Sequence, residues 1–90
     1  MVKVANLCSV YNIPVVFHGS LVPANAQISF AQNAVVTPMM EYLILRNEAT
    51  QLFFKNPMKP VNGFFTPPTA PGVGCDLDES KIEAERDIKI

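Results

Sequence analysis

Apolar residues change their spacing along this chain, and each change predicts an element. In residues 2–12, VKVANLCSVYN, Val4, Leu7, Cys8 and Tyr11 recur at helical spacing. Asn12 suits the end of that helix, and Pro14 prevents its continuation. Residues 13–17, IPVVF, are wholly apolar and rich in β-branched side chains. That is the pattern of a strand covered on both faces, as in a parallel sheet. His18, Gly19 and Ser20 end it. Residues 24–34, ANAQISFAQNA, place Ala24, Ile28 and Ala31 on one stripe that runs on to Val35. They predict a second helix, closed by Thr37 and Pro38. Residues 39–45, MMEYLIL, predict a second buried strand with Glu41 inside it. The order helix, strand, helix, strand with short links is an α/β arrangement with parallel strands.

After Arg46 the pattern dissolves. Residues 57–74 hold Pro57, Pro60, Pro67, Pro68, Pro71, Gly63, Gly72 and Gly74, so regular structure is scarce there. Val61-Asn62-Gly63-Phe64 is a turn signal that predicts a small hairpin. Phe53, Phe54, Phe64 and Phe65 are too apolar for a free linker, so this segment should pack on something. Asp78 can cap a last short helix over 79–88, supported by the pairs Lys81–Glu85 and Glu85–Lys89. Residues 47–90 therefore read as a closing segment and not as an independent domain.

Charge changes this picture more than bulk composition does. The 90 residues are 49% hydrophobic and 17% charged, with a net charge of −1. Yet residues 4–40 contain no Asp, Glu, Lys or Arg, where roughly nine would be expected. Nine of the chain's 15 charges fall in residues 76–90, six acids and three bases. The uncharged front is no membrane span, because Asn6, Asn12, Pro14, His18, Pro23, Asn25, Gln27, Gln32 and Asn33 interrupt it. Deep burial within a larger soluble body explains it better, which makes the chain look like part of a domain. The length allows one domain, burying about 64% of its extended surface on folding, a marginal figure. No basic run marks a nucleic-acid partner. Cys8 and Cys75 are too few for a secreted disulfide framework and read as reduced thiols of a cytoplasmic protein.

Three positions could carry chemistry. His18 stands where an apolar strand meets a turn, the carboxyl end at which parallel α/β folds build their sites. There it could exchange a proton near neutral pH, or simply bond a loop carbonyl. Glu41 is the only acid in residues 1–47. Such a residue in an apolar run points to a functional acid, to an ion pair with Arg46, or to a strand end that meets water. Ser20 lacks the G-x-S-x-G elbow of a nucleophile. It fits a helix cap or a substrate contact. A metal held by His18 with Cys8 or Cys75 has no ligand-like spacing.

Taken in order, these motifs resemble a known family. Ile13-Pro14-Val15-Val16-Phe17-His18-Gly19-Ser20 is similar to the seventh barrel strand of the mandelate racemase branch of the enolase superfamily. Pro38-Met39-Met40-Glu41-Tyr42-Leu43 is similar to the eighth. Pro60-Val61-Asn62-Gly63 and Pro71-Gly72-Val73-Gly74, followed by Asp76-Leu77-Asp78, resemble the C-terminal closing segment. His-Gly-Ser, the Glu after Pro-x-x and Pro-Val-Asn-Gly together look most like the rhamnonate dehydratase group of acid-sugar dehydratases. The similarity covers about residues 2–88.

The resemblance implies a fold and a division of labour. Residues 1–46 would be the last βα units of a (β/α) TIM-type barrel, and 47–90 its irregular Pro/Gly-rich tail with a short terminal helix. His18 would take the proton α to the substrate carboxylate. Glu41 would donate a hydrogen bond to that carboxylate as charge develops. Gly19 and Ser20 would contact the sugar acid. Mg²⁺ would stabilise the enediolate in the complete enzyme, but the family's metal ligands and the aspartate partner of the histidine would precede Met1. The chain alone is thus expected to hold no Mg²⁺ and to be inactive, its exposed face covered by a homo-oligomer or by the missing barrel portion. Two other readings stand beside this one: a non-catalytic remnant acting as an interaction or assembly module, and an unrelated small α/β binding domain.

Overall fold

A computed structural model describes residues 1–19 and 21–88. Its regular elements are three short helices: α1 (Val2–Val10), α2 (Val22–Phe30) and α3 (Ile44–Thr50). A single 3-10 turn, Glu79–Lys81, follows in the tail. The first helix expected from the apolar spacing forms, ending near Asn12, which takes the left-handed conformation at φ 54°. Ile13 donates its amide back to the Cys8 carbonyl at 2.9 Å and closes that end. The second begins two residues earlier than expected. Pro23 sits in its first turn, where the missing amide hydrogen has no helical partner to lose. Thr37 Oγ1 donates to the Ser29 carbonyl at 2.8 Å, satisfying a carbonyl near the helix end.

The expected α/β barrel portion is not what forms. Among the described residues there is no β-strand; the β pairing consists of two isolated antiparallel bridges, Phe54 with Leu77 and Val61 with Phe64. Besides the Ile13 bond that closes α1, the backbone of residues 13–17 bonds to the segment after α2 from the Val15 amide to the Val36 carbonyl at 2.7 Å. Residues 38–43 are likewise outside any ladder, and Ile44 and Leu45, read as the end of a strand, begin α3. The physical reason is that a strand is a paired object. An apolar β-branched run supplies the propensity, but its amides and carbonyls need ladder neighbours on both edges, and the described residues provide none.

The buried set is small: Ala5, Phe17, Val22, Ala26 and Phe54 are its hydrophobic members. The stripe expected to bury α1 faces outward, with Val4, Leu7 and Tyr11 all exposed and Ala5 buried instead. On α2 the buried face is Val22, Pro23, Asn25, Ala26 and Ser29, and not the stripe from Ala24 to Val35. Helix α3 is inverted: Asn47 and Gln51 are 0% and 1% exposed while Leu45 is 87% exposed. The Gln51 side chain earns its burial by clamping Met58, accepting its amide at 2.7 Å and donating to its carbonyl at 3.0 Å. Asn47 has no partner for either side-chain atom among the described residues.

The total accessible surface is 7102 Å², against roughly 5,200 Å² for a folded monomer of this mass. The radius of gyration is 15.2 Å, against about 12 Å for a compact domain. A chain with this few buried side chains presents its apolar residues on its surface.

The tail does pack, as its phenylalanines required. Lys55 donates its amide to the Asp76 carbonyl and Asp78 to that of Phe53, both at 2.8 Å. Gly74 lies against Pro23 of α2. The Val61–Phe64 hairpin forms with Asn62 at φ 51° and Gly63 at φ 81°, the left-handed pair that a two-residue turn requires. Asp78 caps as expected, accepting from the Ser80 amide at 3.2 Å. The helix it caps is one turn and not the span 79–88. Lys81 turns away from Glu85: its ammonium meets Asp78 at 3.3 Å and the Leu52 carbonyl at 3.0 Å. Lys89, the partner expected for Glu85, lies outside the described residues.

Candidate functional site

The site is assembled by two irregular segments that follow α1 and α2. The Val15–Val36 bond aligns them, and Phe17, which is buried, anchors the first. His18 follows directly. Glu41 comes from the second segment, a few residues beyond the Thr37 hydroxyl that ties it to α2. The two side chains meet: His18 Nδ1 is 2.6 Å from Glu41 Oε2. The Gly19 amide points at the same oxygen from 3.4 Å. Gly19 has φ +130°, a conformation that L side chains avoid. At that residue the chain turns so that the ring of one residue and the amide of the next converge on one carboxylate oxygen.

The structure therefore brings together His18, Gly19 and Glu41, while Ser20 lies outside the described residues. Glu41 takes His18 as its partner and not Arg46, and His18 takes a carboxylate and not a loop carbonyl. The direct contact was not read from the sequence. Its signal was present, since the sole imidazole of the chain and the sole acid of residues 1–47 share a nearly uncharged region, where an ionisable group needs a partner.

The imidazole is open: the side chains of His18 and Glu41 are 75% and 32% exposed. Two concavities of the described residues have linings that do not include them. The larger, about 970 Å³, is a groove in the tail beside Cys75, Asp76 and Glu79. There burial and the negative charge of Asp76 push the Cys75 thiol up from its ordinary value. The smaller, about 270 Å³, is apolar and lies between Phe30, Met39 and Phe64.

With Nδ1 engaged by a carboxylate, the other ring nitrogen of His18 is left to exchange a proton with a ligand. The residues do not fit Mg²⁺. That ion takes near-octahedral oxygen coordination, whereas the pair offers one carboxylate and one imidazole. No group of three His, Cys, Asp or Glu that could hold a metal gathers among the described residues. Nor is any described helix long and apolar enough to cross a membrane.

No curated protein and no solved structure matches the chain. A family does: residues 1–81 match the proteins described as enolase C-terminal domain-like. That match spans most of the chain and includes His18, Gly19 and Glu41. The chain belongs to the enolase C-terminal domain-like family, within the enolase superfamily.

Proposed function

We propose that the chain carries the proton-transfer pair of an acid-sugar dehydratase of the mandelate racemase branch, acting on a six-carbon aldonate such as rhamnonate. The observation that carries this reading is the approach of His18 to Glu41 at 2.6 Å in a member of this superfamily. The free nitrogen of His18 takes the proton α to the substrate carboxylate. The electron pair of the broken C–H bond then expels the β-hydroxyl, which takes the proton now held by His18 and leaves as water. Gly19 lines the sugar acid beside the imidazole, and Ser20 keeps the substrate contact that the resemblance implies. A proton this weakly acidic also needs an electrophile for the developing charge, and the donors of this chain do not form one. On this reading the chain is a half-site, inactive by itself.

The experiment is a graft. This chain replaces the corresponding C-terminal segment of an acid-sugar dehydratase of that branch, and dehydration of rhamnonate is followed in the presence of Mg²⁺. Activity that returns with the graft and falls by orders of magnitude in its His18→Asn form supports the reading. A folded graft with no dehydration of any six-carbon aldonate contradicts it.

The exposed surface favours a second reading, an interaction or assembly module. The excess of 7102 Å² over the compact value is more than twice the roughly 800 Å² that one partner gives to a standard interface, the scale of an obligate one. A second copy or a complementary polypeptide would cover it. Sedimentation at low micromolar concentration tests this: a stable, monodisperse monomer contradicts it.

A further inference from the structure

We propose that Lys81 is the latch of a strap: its ammonium holds residues 76–81 across the end of α3, and removing that charge lets the strap lift while the rest of the chain keeps its structure. The inference is independent of the dehydratase reading. It starts from three successive backbone carbonyls just past α3, those of Leu52, Phe53 and Phe54. All three find their donors on the strap. The Asp78 amide donates to the Phe53 carbonyl at 2.8 Å. Lys81 Nζ donates to the carbonyls on either side, Leu52 at 3.0 Å and Phe54 at 3.5 Å. The same ammonium is 3.3 Å from Asp78 Oδ2. An ammonium has three N–H donors, and three acceptors surround this one. Phe54 is one of the few buried apolar side chains and pairs with Leu77 in an antiparallel bridge. Without the ammonium, two of the three carbonyls lose their donor, and lifting the strap into water is the way to supply another. Past Ile82 no hydrogen bond is made among the described residues, so Lys81 is the last described side chain that ties the tail down. A lifted strap opens the groove lined by Cys75, Leu77 and Ile82 and uncovers Phe54.

Amide hydrogen exchange of the 90-residue chain, followed residue by residue by NMR, tests the latch. The strap is read at Asp78 and at Lys55, whose amide donates to the Asp76 carbonyl at 2.8 Å. The control is Met58, whose amide is held by the Gln51 side chain. Lys81→Met keeps an unbranched apolar stem and removes the charge. It is expected to exchange roughly three- to tenfold faster at Lys55 and Asp78, less than a buried charged hydrogen bond would give because the Lys81 side chain is 41% exposed. Met58 is expected to keep its rate. Lys81→Arg, which keeps a cation with N–H donors, is expected to stay closer to the unsubstituted chain than to Lys81→Met. Unchanged exchange at Lys55 and Asp78 in Lys81→Met overturns the proposal. So does equal acceleration at Met58, because the chain then opens as a whole and not at the strap. A Lys81→Arg chain as fast as Lys81→Met overturns it as well, because the charge is then not what holds the strap.

Discussion

Val15 donates its amide to the carbonyl of Val36 at 2.7 Å, and this one backbone bond aligns the segments that bring His18 to Glu41. The amides of Val16 and Phe17 have no partner among the described residues. Hydrogen exchange followed residue by residue should therefore show Val15 several-fold slower than Val16. Equal rates would mean that the alignment does not persist in solution.

Gly19 holds φ +130° with open space where a Cβ would stand. Gly19→Ala thus meets no clash, and its cost is backbone strain, about 1–3 kcal/mol. Urea unfolding should show a loss of that size. Unchanged stability would place the residue in an ordinary conformation.

Asn47 is wholly buried with neither side-chain atom bonded. An unsatisfied buried amide costs about 1–3 kcal/mol, and leucine has the same branched heavy-atom shape without that cost. Asn47→Leu should raise the thermal midpoint of the chain. A fall would show that the amide has a partner that the leucine cannot replace.

The hydroxyl of Ser80, and after it the ammonium of Lys81, hold Asp78 below the ordinary carboxylate range. A folded value below the unfolded one means that the contact stabilises fully above the ordinary range and is lost as the pH falls through the folded value. Ser80→Ala should move the Asp78 titration upward, read by NMR of its side-chain carbon. Lack of movement would remove the hydroxyl as the main cause.

The sequence was most legible where structure is local. The helix over Val2–Val10, the Asn62-Gly63 turn and the Asp78 cap each depend on neighbours within a few residues, and each formed where the residue types pointed. The two apolar runs were misread because a strand depends on distant partners that composition does not name. Helix α3 was missed because MMEYLIL straddles its start, and because it buries Asn47 and Gln51 where an amphipathic helix would bury Ile44 and Leu45. His18 and Glu41 stood out as candidates, but their contact did not. It depends on how two unpaired segments cross, and no spacing along the chain encodes that.

The central claim is that His18 removes a proton from the carbon next to a carboxylate. Exchange of that hydrogen with solvent tests it most directly, because it reports the first bond broken whether or not water is then lost. In heavy water, with Mg²⁺, the grafted enzyme is expected to place deuterium at the α carbon of recovered rhamnonate, and the His18→Asn graft to place none. Equal deuterium incorporation by both grafts would contradict the account.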